Sequence, residues 1–158
     1  MNKLLPIGVF ALLSWFFFWQ AKGLYHLYAQ YQHTHFSCDA ILQVHKDDVE
    51  LSLALNYTFQ GDNGIAVLKG TLRQGAKVTN VSRKNYFTFM HENGFYHLKS
   101  TSAIISPADN SNTEEVASYL PRFYLQQGMI FDFEAYPIGR EGFVFSTGYV
   151  PSFFCAHS

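Results

Sequence analysis

The stretch VELSLALNYTFQ at positions 49–60 constrains the fold more than any other part of the sequence. Its odd-numbered positions are apolar or aromatic, and its even-numbered positions are polar or small. This period of two is typical of an antiparallel strand with one buried face. The stretch ends at Gly61-Asp62-Asn63-Gly64, and an Asn-Gly pair readily adopts the positive φ angles of a hairpin turn. The sequence therefore predicts a β-hairpin whose second strand covers 65–73.

Similar patterns predict further strands along the rest of the chain. We expect strands at 76–91, with a bulge near 82–84, and at 95–105, 129–136 and 143–149, followed by an extended tail that ends near Cys155. A short helix is expected over 114–119, where two acidic residues occupy the first turn. Six or seven strands and one short helix predict a mainly β fold, either a small antiparallel β-barrel or a strongly curved sheet.

The N-terminal segment is apolar and carries no charge between positions 4 and 19. As a helix these residues would span about 24 Å, and extension to Lys22 brings the span closer to the ~30 Å hydrocarbon core. We therefore predict a cytoplasmic stub and transmembrane helix over 1–22, a juxtamembrane linker over 23–36 and a folded domain over 37–158. A cleaved signal peptide is the alternative. Both interpretations predict that the folded domain lies outside the cytosol.

The chain has two cysteines, Cys38 and Cys155, at opposite ends of the predicted domain. One pair in this position is typical of a disulfide formed in an oxidising compartment. The alternative is two unrelated buried thiols. The pairing agrees with a domain located in the periplasm, with the N-terminus in the cytoplasm.

The sequence offers little support for catalysis. Eleven basic residues against twelve acidic ones leave no basic stripe for nucleic acid, and the common hydrolase, metalloprotease and nucleotide-binding motifs are missing from the sequence. Asp132 and Glu134 could form a carboxylate pair, although a solvated strand face explains them better. His91 and His97 flank the turn at 92–94 and could face each other across the hairpin, as a candidate pH-sensitive pair or as ordinary exposed neighbours. We predict a protein that is not an enzyme and uses neither metal nor cofactor.

What remains as a candidate site is apolar. Alternate positions of the predicted strands could line the interior of a barrel, which either fills completely or stays open for one apolar ligand. The residues of this candidate pocket are Leu53, Leu55, Tyr57, Phe59, Phe131, Phe133, Phe143 and Phe145.

Several short motifs, taken in order, resemble the FidL-like family of enterobacterial single-pass membrane proteins. They are FSCDA at 36–40, VSRK at 81–84 with YFT at 86–88, YLPRFYL at 119–125, and FSTG at 145–148 with VPSFFC at 150–155. The resemblance extends over nearly the whole chain.

The resemblance implies an accessory role beside a membrane-bound transcription regulator with a winged-helix DNA-binding domain, in an arrangement similar to the ToxR/ToxS and VtrA/VtrC pairs. It implies a lipocalin-like barrel anchored in the bilayer of the bacterial inner membrane, a heterodimer with a ToxR-like regulator, and a bile salt or another apolar molecule as ligand. The alternative is a stand-alone binding domain, secreted or membrane-anchored, without a regulatory partner.

Overall fold

A computed structural model describes residues 4–139, 141–148 and 150–158, and the chain divides into a helical unit that ends at His33 and a barrel unit, Thr34–Ser158. The helical unit is one helix, α1 (Leu4–Thr34). No helix in these ranges combines the length and apolar character needed to cross a membrane. The predicted transmembrane helix over 1–22 is therefore unsupported, and its residues 1–3 and the side chains of 4–13 lie outside those described.

The barrel unit is a closed, eight-stranded antiparallel barrel in which each strand pairs with the next along the chain and the last pairs with the first. The mainly β prediction is confirmed in this form. The strands are β1 (His35–Lys46), β2 (Val49–Gln60), β3 (Asn63–Gln74), β4 (Lys77–Glu92), β5 (Phe95–Ile105), β6 (Ile130–Ile138), β7 (Gly142–Thr147) and β8 (Val150–His157).

Alternation along the strands sends one row of each strand into the barrel. On β2 every odd position from Leu51 to Phe59 is buried, and on β4 the odd positions from Thr79 to Phe89 are buried. The interior is dominated by aromatic rings, which include seven buried Phe and three buried Tyr side chains. Burial of such large apolar side chains provides most of the driving force for folding.

The β1–β8 seam, the junction between the first and last strands, is the shortest in the barrel. Cys38 pairs with His157 and Asp39 pairs with Ala156, and the register of these two strands extends no further within the described residues. By comparison, β1 pairs with β2 at all twelve of its positions. The predicted disulfide between Cys38 and Cys155 is confirmed, with an S–S distance of 2.04 Å, and it joins the two strands at this seam.

The connection between β5 and β6 covers one end of the barrel. It contains a short helix, α2 (Thr113–Ala117), and a 3-10 turn, Arg122–Tyr124. Asn112 caps α2 by accepting a hydrogen bond from the backbone N–H of Glu114. The predicted helix over 114–119 is therefore present but starts one residue earlier and is shorter.

Two expectations about the strands differ from the structure. The predicted linker over 23–36 is helical to Thr34 and then enters β1, a strand that the sequence pattern did not reveal. The bulge predicted near 82–84 of β4 is wrong, because the register between β4 and β5 shifts opposite Tyr86 and Phe87, where β5 carries the extra residue. The extra residue is Thr101, so the bulge bends β5 and helps to close the barrel.

Candidate functional site

All eight residues of the predicted pocket face the interior of the barrel. Six of them are buried, whereas Phe131 and Phe143 are half-buried and pack against the others. The rings of Phe133 and Phe145 stack with centroids 4.4 Å apart, and Tyr57 lies 5.5 Å from Phe145. The structure therefore brings the predicted residues together as a packed aromatic core, and binding of a ligand among them stays a prediction.

Residues 121–127, which we call the flap, close the end of this core. Phe123, Tyr124 and Leu125 are buried, and the flanking Pro121 and Gln127 are exposed. The ring of Phe123 lies 5.8 Å from Phe87 on β4 and 5.4 Å from Phe131 on β6. The flap thus places two aromatic side chains where the barrel would otherwise be open.

Two polar contacts hold the flap to the barrel wall. Asn85, which is fully buried on β4, donates a hydrogen bond of 2.9 Å from Nδ2 to the backbone carbonyl of Phe123. The hydroxyl groups of Tyr57 and Tyr124 form the second hydrogen bond. Burial raises the pKa of Tyr124 to about 12 and that of Tyr57 well above its ordinary value. Both phenols are therefore neutral donors and acceptors at neutral pH.

A buried ion pair lies two positions from Asn85 on the same inward row of β4. Arg83 Nε donates to Asp109 Oδ2 at 3.0 Å, and both side chains are at most 2% exposed. Arg83 Nη2 donates to Ser111 Oγ, which in turn donates to Asp109 Oδ1. The remaining nitrogen, Nη1, is buried without a hydrogen-bond partner among the described residues.

Both oxygen atoms of the Asp109 carboxylate accept hydrogen bonds. Burial would raise its pKa, but hydrogen bonds from Ser111, from the backbone N–H of Ser82 and from Arg83 outweigh that effect and hold the pKa below 3.8. Asp109 is therefore charged at neutral pH, and it neutralises Arg83. Because a buried donor without an acceptor is costly, Arg83 Nη1 marks this end of the barrel as a place where an oxygen atom would be stabilised.

The outer side of the β1–β8 seam forms a second candidate site. Where the two strands diverge, a groove of about 590 Å³ lies between positions 39–43 of β1 and positions 152–156 of β8. Ile41 is 73% exposed and Phe154 is 45% exposed beside it. A neighbouring groove of about 640 Å³ continues from Ile41 across Ala54 on β2 to Val67 on β3. Exposed apolar side chains next to an incomplete strand pairing are typical of a protein-binding surface.

The polar residues singled out in the sequence do not assemble into a reactive group. His97 pairs with Asp132 on the outer wall at 2.9 Å, and Glu134 accepts a hydrogen bond from Tyr136. His91 is in register with Tyr96, not with His97, so the predicted facing pair of histidines is wrong. No group of three or more residues able to hold a metal ion occurs in the part of the chain that the structure describes.

Comparisons with known proteins identify the domain but not its activity. Comparison with the curated proteins and with the solved structures finds no match to the chain. A family model, the YqeJ C-terminal domain, matches residues 35–155, which is nearly the whole barrel. The family suggested by the sequence motifs, FidL-like, is not the one that matches. The chain belongs to the YqeJ C-terminal domain family.

Proposed function

We propose that this chain is a non-enzymatic periplasmic accessory subunit that pairs with a membrane-bound winged-helix transcription regulator. The observation that carries this proposal is the short β1–β8 pairing, which leaves positions 40–46 of β1 without register partners on β8 within the described residues. An unpaired strand edge presents backbone donors and acceptors, and another backbone strand satisfies them best. The expected occupant is therefore an extended segment of the regulator's periplasmic domain.

The direction of the backbone groups on β1 supports this mode of binding. The carbonyl of Ser37 accepts a hydrogen bond from the backbone N–H of Ser158, so it points toward β8. Backbone groups alternate in direction along a strand, and those of Ile41 and Gln43 therefore point to the same side. Their side chains lie on the outer wall, where exposed Ile41 and Phe154 offer apolar contacts to an added strand.

Location outside the cytosol is a further part of the proposal. The disulfide between Cys38 and Cys155 is typical of an oxidising compartment, and the apolar N-terminal segment would hold the chain at the inner membrane. A reporter fused after Ser158 should be active only on the periplasmic side. Cytoplasmic activity of the same fusion would overturn this location.

A proline substitution at the edge of β1 tests the pairing. Gln43→Pro removes one backbone N–H that points toward β8 and leaves the hydrogen bonds to β2 intact, because proline is tolerated at strand edges. Gln43→Ala is the matched control. With a winged-helix regulator co-expressed, the alanine variant should co-purify with it after solubilisation and the proline variant should not. Equal recovery with both variants would contradict the proposal, provided that their unfolding temperatures agree.

A ligand is the second part of the proposed role. We expect a bile salt or another apolar molecule to bind the barrel, since eight-stranded barrels can hold one small ligand and this interior is rich in aromatic rings. Calorimetry of the purified pair with taurocholate should give saturable heat. The absence of heat at millimolar concentrations would show that the bile salt is not a ligand. It would not affect the proposed pairing with the regulator. A stable monomer that captures no regulator would favour the stand-alone binding domain.

A further inference from the structure

We propose that the flap at 121–127 occupies the ligand site of the barrel and is displaced when a ligand enters. The ligand would be a rigid, ring-containing apolar molecule that carries at least one oxygen acceptor. This inference rests on the ligand-binding part of the proposed function and is independent of the pairing at the β1–β8 seam, because the flap and the seam are formed by different residues.

The hydrogen bonds of the flap backbone allow it to move as a unit. The N–H groups of Tyr124, Leu125 and Gln126 bond to the carbonyls of Pro121 and Arg122, so these bonds stay within the flap. The flap is followed by Gly128, whose φ of +82° is easily accessible only to glycine. Displacement of the flap would therefore break its two polar contacts with the barrel, at Asn85 and Tyr57, and leave its own turn intact.

The preceding part of the connection is held much more firmly. The N–H groups of Ser106 and Asn110 bond to the carbonyls of Ser82 and Asn80, which extends the pairing of β4 beyond the end of β5. Asp109 adds the buried ion pair with Arg83. This contrast divides the connection into a fixed segment, 106–112, and a flap that depends on side-chain contacts.

Phe123 and Tyr124 occupy the space that a ring-containing apolar molecule would fill. Their rings contact Phe87, Phe131 and Tyr57, which are core residues of three different strands. If the flap moves away, the rings of Phe87, Phe131 and Tyr57 lose their apolar neighbours in the flap. A ligand that fills the vacated space buries those rings again. The aromatic side chains of the flap thus define the apolar character of the incoming molecule.

The oxygen acceptor follows from the donors that line the same end. When the flap moves away, Asn85 Nδ2 loses the carbonyl of Phe123 and becomes a buried donor without an acceptor. Arg83 Nη1 already lacks a partner among the described residues. Arg83 and Asn85 are two positions apart on one strand face, which separates them by about 7 Å. Because Asp109 neutralises Arg83, a carbonyl or hydroxyl oxygen meets these donors without adding an uncompensated charge.

Fluorene and 9-fluorenone provide matched probes, because they share one three-ring skeleton and differ by a carbonyl oxygen. Displacement of the fluorescent reporter N-phenyl-1-naphthylamine from the full-length chain measures their affinities. We expect 9-fluorenone to bind roughly tenfold more tightly than fluorene, by the discrimination typical of one buried hydrogen bond. The Asn85→Leu variant, in which Arg83 Nη1 is the remaining donor, should reduce this preference. Equal affinities in the unmodified chain would overturn the acceptor requirement.

Hydrogen exchange tests whether the flap is displaced. Saturation with 9-fluorenone should accelerate amide exchange in 121–127 and leave 106–112 unchanged. Phe123→Ala, which vacates part of the site, should bind N-phenyl-1-naphthylamine roughly tenfold more tightly because the competent state is more populated. Phe95→Ala, on the outer wall at the opposite end, is the matched control and should not change affinity.

A second variant covers the case in which Phe123→Ala fails to fold. Tyr124→Phe removes only the hydroxyl that bonds to Tyr57, and it should increase both probe affinity and flap exchange. Unchanged exchange in the flap on probe binding, in a chain that demonstrably binds the probe, would overturn the displacement. If the same variants still co-purify with the regulator, the proposed pairing stands independently of that result.

Discussion

The hydroxyl groups of Tyr57 and Tyr124 are hydrogen-bonded to each other inside the barrel and connect β2 to the flap. Removal of one hydroxyl leaves the other buried without a partner, which costs about 1–3 kcal/mol. We expect Tyr57→Phe and Tyr124→Phe each to lower the free energy of unfolding by that amount in urea. The double variant, which removes both partners, should be closer to the unmodified protein than either single variant. A double variant as unstable as the sum of the two singles would contradict this.

The same pair predicts instability at high pH. The pKa of Tyr124 is raised by burial to about 12 from an ordinary value of 10, and burial also raises that of Tyr57 well above its ordinary value. Above pH 10 the unfolded chain loses these protons first, so the folded state loses stability as the pH rises toward 12. Unfolding free energies measured between pH 8 and 12 should fall steeply for the unmodified protein and less steeply for the double Phe variant. Equal slopes would show that these phenols ionise alike in both states.

Strand prediction succeeded where burial is one-sided and regular. The bounds of β2 and β5 agree with those expected from the sequence, because their apolar residues alternate with polar ones along their length. β1 also alternates, with Phe36, Leu42 and Val44 on its inward row, but it was missed because the small residues Cys38 and Ala40 interrupt that row and Ile41 is exposed. Periodicity detects large buried side chains, so a strand with small residues in the middle of its inward row gives only a weak signal.

The candidate site was only partly predictable for a different reason. The inward aromatic residues were identified correctly because strand alternation assigns each one to a face. The flap, Asn85 and the buried pair of Arg83 with Asp109 depend on contacts between residues 26 to 67 positions apart. A charged residue at an inward position, such as Arg83, was the one available signal, since charged side chains are almost never fully buried without a partner.

The disulfide between Cys38 and Cys155 should contribute strongly to stability. It closes a loop over a separation of 117 residues, for which the chain-entropy model gives about 4–5 kcal/mol. We expect Cys38→Ala with Cys155→Ala to lower the unfolding temperature in oxidising buffer. Addition of a reductant should bring the unmodified protein down to the same value and leave the variant unchanged. A variant that reductant destabilises further would contradict this account.

The buried Arg83–Asp109 ion pair is expected to contribute more to the free energy of unfolding than a surface ion pair does. Asp109→Asn leaves Arg83 buried without its counter-charge, which should cost about 3–5 kcal/mol. Glu50→Gln, which removes a pair with Arg73 between half-exposed side chains 3.9 Å apart, is the matched control and should change stability by less than about 1 kcal/mol. Urea unfolding at pH 7 compares the two. Similar losses in both variants would show that the pair is not effectively buried.

Acid titration gives an independent measure of the same pair. The pKa of Asp109 is lowered below 3.8 by its hydrogen bonds, so its contribution is complete above that pH and is lost as the pH falls through the folded-state pKa. The difference in unfolding free energy between the unmodified protein and Asp109→Asn should therefore be constant near neutrality and shrink below pH 4. A difference that stays constant down to pH 2 would contradict the assignment.

Gly70 on β3 is a position where an added methyl group should be poorly tolerated. A Cβ atom there would lie 1.9 Å from the backbone oxygen of Ser52 and 2.9 Å from Cα of Leu53 on the neighbouring strand. Both contacts are with backbone, which cannot move aside without breaking the β2–β3 pairing, so Gly70→Ala should cost at least about 1–3 kcal/mol. Gly23→Ala in α1 meets nothing within 4 Å and is the matched control. Near-ultraviolet circular dichroism of the tyrosines should report earlier urea unfolding for Gly70→Ala, whereas equal midpoints would show that β2 and β3 can separate locally at low cost.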